Sequence, residues 1–141
     1  MSLVCWDTML FIYWFEEHPR FAERVATIFQ RMEERKDVLA STVFTLGEIL
    51  VAPYRKSDIH TAQKFRELLQ PPYVKILPFN PQAAVRYAQI RAETNVSPAD
   101  AIQLACAAEA GVDLFLTNDR RLIGKLVPGI QFIAGLDINL F

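Results

Sequence analysis

Short apolar runs separated by helix-patterned stretches constrain this chain more than any other feature. The runs are Leu3–Trp6, Val38–Ala40, Val74–Leu77, Val112–Leu116 and Ile130–Ile133. Each is too short for a helix and suits a strand covered on both faces. Between them, apolar residues recur at helical spacing, as in Phe21, Val25, Ile28, Phe29 and Met32. Strands separated by helices are joined by crossovers and not by hairpins, which makes the sheet parallel. The pattern therefore predicts an α/β fold with a mostly parallel sheet flanked by helices.

Capping residues and prolines place the helix boundaries. Thr8 can cap a helix running through Leu10, Phe11 and Trp14, and Pro19 suits the start of the next. Ser41 or Thr42 can cap a helix from Val43 that Pro53 ends or kinks at Ala52. A second helix, Asp58–Leu69, follows, and the pair over 43–69 predicts a helical arm. Asn80-Pro81 and Ser97-Pro98 read as cap plus first-turn proline, and Gly111 as a left-handed helix end. Arg120–Leu126 reads as a short helix, and the apolar tail Leu136–Phe141 as docking on the body. No repeat or linker divides residues 1–141, so one domain is expected.

Composition excludes several classes. Hydrophobic residues are 52%, charged residues 22%, and the formal net charge is -1. That is a globular chain without the basic excess of a dedicated nucleic-acid module. A nucleic-acid role would have to rest on a local site. Cys5 and Cys106 sit inside apolar runs and read as buried free thiols in a reducing compartment, with a disulfide as the alternative. No run is long enough to cross a membrane. The apolar N-terminus lacks a basic start and is interrupted by Asp7, so it reads as strand plus helix and not as a signal peptide. The expected location is the cytoplasm. His18 and His60 stand in polar contexts and read as surface residues. The dense aromatics Trp6, Phe11, Tyr13, Trp14 and Phe15 read in part as core and in part as a dimer surface.

Four acidic residues occupy comparable places. Asp7 directly follows one apolar run, Asp119 follows another after Thr117 and Asn118, Glu48 lies about two turns into the helix after the second run, and Asp100 is in the first turn of its helix. Sites in open α/β sheets form beyond the C-terminal strand ends, so all four can face one cleft. Gathered carboxylates repel one another and raise one another's pKa, a conflict that a divalent cation removes. Oxygen-only ligands favour Mg²⁺ or Mn²⁺ over zinc. In that arrangement Asp7 and Asp100 are candidate direct ligands, and Asp119 binds directly or through water. Such a cation could polarise a phosphodiester and activate water, with Glu48 holding a metal-bound water or standing near the attacking water, and Thr8, Thr117 and Asn118 orienting the carboxylates. Taken singly, each acid also has an ordinary reading: strand end or cap for Asp7, first-turn charge for Asp100, a turn for Asp119 and solvated surface for Glu48.

The stretches VCWDT, STVFTLGEIL and SPADAIQLACAAEAGVDLFLTND, in this order, resemble PIN-domain ribonucleases, specifically toxins of the VapC type. The third stretch is the most specific. The resemblance implies a three-layer fold with sheet order 3-2-1-4-5 and carries the family's acidic positions onto Asp7, Glu48, Asp100 and Asp119. It implies cleavage of RNA with Mg²⁺ or Mn²⁺, inhibition by a small antitoxin, and a homodimer. The segment TMLFIYWF after Asp7 is bulkier than the family's usual DTN or DTS opening, which alters the approach to the cleft. Arg20, Arg55, Lys56, Arg120 and Arg121 are candidate phosphate contacts. A non-catalytic domain with the same fold, and a DNA nuclease with the same acids, are the competing expectations.

Overall fold

The computed structural model describes residues Met1–Phe141. Five strands, β1 (Leu3–Trp6), β2 (Val38–Thr42), β3 (Lys75–Leu77), β4 (Leu114–Leu116) and β5 (Phe132–Ala134), alternate with six helices. The helices are α1 (Thr8–Phe15), α2 (Ala22–Arg35), α3 (Val43–Arg55), α4 (Ile59–Leu68), α5 (Pro81–Glu93) and α6 (Pro98–Ala110). The strands form one sheet of order β3-β2-β1-β4-β5, and every neighbouring pair is parallel. None of the helices is long and apolar enough to cross a membrane.

Side-chain alternation along the strands builds three layers. Cys5, Ala40 and Phe115 face one side of the sheet and pack with α5 and α6. Val4, Trp6, Leu39, Leu114 and Leu116 face the other and pack with α1, α2 and Ile49 of α3. Ala101, Ala105, Ala107 and Ala108 are all buried, and their small side chains let α6 lie close against its neighbours. Cys5 and Cys106 are both buried free thiols. Burial pushes the Cys5 thiol far above its ordinary range and Cys106 up to about 11, so both stay protonated and inert.

The aromatic series after β1 is largely interior. Trp6 packs against Phe11 at 5.1 Å and Trp14 at 5.8 Å between ring centroids, and Phe15 stacks on Phe65 at 4.9 Å. The bulk that departs from the family's opening thus fills the layer between α1 and α2 and reaches α4. His18 is not a bare surface residue. Its Nδ1 accepts the N–H groups of Arg20 and Phe21 ahead of α2, and its ring stacks on Phe21.

Several boundaries differ from expectation for local reasons. The α3 helix passes through Pro53 to Arg55, because later N–H groups still reach back: Lys56 to the carbonyl of Ala52 and Asp58 to that of Pro53. No helix forms over residues 120–126, of which 120–124 are turns. Gly124 has φ +81 and donates to the Ile133 carbonyl, so the helical ladder cannot continue. The fourth strand begins at Leu114, since the Asp113 carboxylate turns to accept the Leu3 N–H at 2.7 Å. The last strand is displaced by two residues at its start, to Phe132.

The C-terminal tail docks as expected. Leu136 is buried among the apolar residues of α1 and α2, and Arg24 donates to the carbonyls of Leu136, Ile138 and Phe141 at 2.6, 2.9 and 3.1 Å. Arg24→Met should keep much of the packing stem while removing these bonds. The expected loss is about 1–2 kcal/mol in urea unfolding, with faster amide exchange confined to residues 136–141. Unchanged stability and exchange would show that apolar contact alone retains the tail.

Candidate functional site

The strand order reverses between β1 and β4, and a cleft opens there beyond their C-terminal ends. The parallel register pairs Cys5 with Phe115 and Trp6 with Leu116, so the residues that follow, Asp7 and Thr117, emerge side by side. The Asp7 N–H continues the ladder to the Leu116 carbonyl at 2.9 Å. Asp7 is also the N-cap of α1. Its Oδ1 accepts the Thr8 N–H at 2.8 Å, and its Oδ2 accepts the Thr117 hydroxyl at 2.7 Å. Burial pushes the Asp7 carboxyl above its ordinary range. The bonds from Thr117 and Thr8 oppose the rise, while the charges of Asp100 and Glu48 add to it.

The cleft has a volume of about 390 Å³, and Asp7, Glu48, Asp100 and Asp119 all line it. The fold therefore brings the four sequence-predicted acids to one opening. Glu48 projects from α3, and its Oε1 accepts the Thr8 hydroxyl at 2.6 Å. Asp100 stands in the first turn of α6. Ser97 caps that turn by accepting the Asp100 N–H at 3.3 Å and donates its hydroxyl to Asp100 Oδ2 at 3.0 Å. The capping role and the position in the cleft are both real, and one does not displace the other.

Asp119 differs from the other three. Its N–H bonds to the Thr117 hydroxyl oxygen at 3.0 Å, but its carboxylate turns to Arg121. Oδ1 accepts from Arg121 Nε at 3.1 Å and Oδ2 from a terminal guanidinium nitrogen at 2.8 Å. This fork holds the Asp119 carboxyl below its ordinary range. Arg121 is thus engaged, whereas Arg120 is exposed and pairs with no carboxylate. The Asn118 side chain donates to the Tyr13 hydroxyl at 3.0 Å and makes no hydrogen bond to any of the four acids.

Three residues beyond the predicted set complete the site. Thr42, Thr45 and Gln103 form a buried polar group with Thr8. Thr45 is detectable in sequence as a helical neighbour of Glu48. Gln103 has one local signal: it is the only amide within the apolar run AIQLACAA.

The donor set is all oxygen, which suits a hard divalent cation. No three acidic, histidine or cysteine side chains converge closely enough to cage an ion. Mg²⁺ keeps several waters and takes only one or two carboxylates, so the residues fit a water-rich ion and not an all-protein cage.

The solved structures carry the same fold. A VapBC2 complex from Rickettsia felis, bound to a promoter DNA fragment, contains a chain that matches with TM-score 0.74 and 14% identity over 94% of this chain and 98% of its own. A DNA-bound VapBC from Salmonella typhimurium matches with TM-score 0.71 and 23% identity, covering 96% and 99%. The toxin VapC20 of Mycobacterium tuberculosis, which cleaves the sarcin–ricin loop, matches with TM-score 0.62 and 14% identity, covering 79% and 86%. No curated protein sequence matches the chain. The PIN domain family model matches residues 4–125, and with the sheet order and the acids at its switch point this establishes that the chain belongs to the PIN domain family.

Proposed function

We propose that the protein is a metal-dependent endoribonuclease, acting as the toxin of a toxin–antitoxin pair. The observation that carries this reading is the meeting of Asp7, Glu48, Asp100 and Asp119 in one cleft of a PIN domain. The toxin role and an antitoxin partner draw on the VapBC complexes that share the fold. The fold-sharing toxin that cleaves an RNA loop supports RNA as the substrate.

In this reading Asp7 and Asp100 hold a Mg²⁺ or Mn²⁺ ion, with Asp119 contributing directly or through water. The ion, when bound, supplies Lewis-acid polarisation of the scissile phosphate and a lowered pKa for the attacking water. The chain's own residues set the geometry. Thr117 and the Thr8 N–H fix both oxygens of Asp7, and Ser97 steadies Asp100. Thr8 occupies one oxygen of Glu48, leaving Oε2 to accept a hydrogen bond from the water that attacks phosphorus. Arg120, free of any carboxylate, is available to an RNA phosphate. Arg121 reaches a phosphate only by leaving Asp119.

The fork between Arg121 and Asp119 favours a second reading, a PIN-fold interaction domain without turnover. Cleavage assays separate the two. The purified protein should cut RNA in Mg²⁺ or Mn²⁺ and stop in a chelator, and Asp7→Asn should lower the rate by at least about 100-fold. A folded wild-type protein with no metal-dependent cleavage of any RNA would favour the interaction domain. Equal cleavage of DNA and RNA would instead indicate a general nuclease.

Asp7 also predicts a conflict between function and stability. Its native pKa is raised, so the native state binds a proton that the unfolded chain has released. At neutral pH the ionised Asp7 therefore subtracts stability. That loss is relieved as pH falls through the raised native pKa toward 3.8, the ordinary value. Without metal, Asp7→Asn should unfold at a higher temperature than wild type at pH 7, with the gap narrowing toward pH ~4. A lower or pH-independent midpoint would contradict the burial argument.

A further inference from the structure

Gln103 lies one turn beyond Asp100 on α6, with only 3% of its surface exposed. A primary amide in such a place is costly unless its donors and acceptor are matched. Here they are. Oε1 accepts the Thr42 hydroxyl, and Nε2 donates to the hydroxyl oxygens of Thr8 at 2.8 Å and Thr45 at 2.5 Å. Thr42 also accepts the Thr45 N–H at 3.1 Å, and the Thr8 and Thr45 hydroxyls lie 2.8 Å apart.

The direction of these bonds follows from Glu48. An ionised carboxylate only accepts, so the Thr8 proton, 2.6 Å away in donor–acceptor distance, points to Glu48 Oε1. Thr8 oxygen must then accept from both Thr45 and Gln103. Thr45 oxygen accepts the other amide proton, and Gln103 Oε1 takes the Thr42 proton. Every hydrogen in the group has one acceptor, and the sense runs from Thr42 through Gln103 to Thr8 and Glu48. A reversed amide would aim Oε1 at Thr8 and Thr45 and compete with Glu48 for the Thr8 proton.

We propose that Gln103 is a positioning residue that locks the Thr8 hydroxyl proton onto Glu48 and so fixes the carboxylate that orients the attacking water. The catalytic part of this rests on the nuclease reading; the locking of Glu48 does not. Gln103 touches neither substrate nor phosphate in this role. Its bonds to Thr42 and Thr45 hold the amide in place, and its link to Glu48 runs through Thr8.

A double-mutant cycle with Gln103→Met and Thr8→Val tests the coupling. Each variant should lower kcat roughly 10- to 100-fold with KM unchanged. The double variant should be no slower than Thr8→Val. Wild-type kcat in Gln103→Met, or losses that multiply in the double variant, would overturn the proposal. A second readout is independent of cleavage: the side-chain carboxyl carbon resonance of Glu48 at fixed pH. It should move in Gln103→Met in the same direction as in Thr8→Val, and an unmoved resonance would overturn the locking. If the wild type cleaves no RNA, the nuclease reading falls and the resonance still decides the role of Gln103. Should Gln103→Met not fold, the isosteric Thr45→Val breaks the same group from α3 and is expected to move the same resonance.

Discussion

The site depends on placing the half-buried Asp7 carboxylate at the point where the sheet reverses its strand order. Such a group is unfavourable in low-dielectric surroundings unless it is paired or hydrogen-bonded. Three local features offset the cost. The parallel register brings Thr117 beside Asp7, the first N–H of α1 meets its other oxygen, and the N-terminal end of α1 favours negative charge. These features are available only if β1 and β4 are neighbours and α1 starts immediately after β1. The position of one acid thus ties the topology to the site. Burial still leaves it incompletely compensated, the charges of Asp100 and Glu48 add to the cost, and a cation would relieve both.

The α6 helix connects packing to chemistry. Its alanines allow close approach to the sheet, while its first turn presents Asp100 to the cleft. One turn later Gln103 joins α6 to the end of β2, to α3 and to α1 through three threonines. Rigid elements on three sides therefore define where Glu48 sits, although Glu48 itself lies on an exposed part of α3. The Asp119 loop is held differently, by a fork to an exposed arginine two residues away. The cleft consequently combines a tightly determined floor with an outer acid whose partner can be exchanged.

Much of this was legible in sequence because it depends on local patterns. Short apolar runs between helical segments identify the parallel sheet, and Asp7 and Asp119 announce themselves by following such runs. Ser97, Asn80 and Gly111 mark helix ends by their own chemistry. The parts that the order of residues leaves open depend on geometry, some of it local and some between distant segments. Residues 120–126 have helical composition, but Gly124 gives its N–H to Ile133 in β5. Pro53 breaks only part of a helical ladder that later residues can still complete. Arg121 stays a candidate phosphate contact, but nothing in the order of residues reveals the rotamer that pairs it with Asp119. Gln103 was an amide in an apolar run, and its three threonine partners come from segments far apart in the chain.

Asp7 and Asp100 are the proposed ligands of a divalent cation in this cleft. Anomalous diffraction from crystals grown with Mn²⁺ tests this assignment most directly. A manganese peak is expected in the cleft, with Asp7 and Asp100 as protein ligands and water in the remaining positions. A cleft without manganese under saturating Mn²⁺, or an ion bound away from both carboxylates, would contradict it.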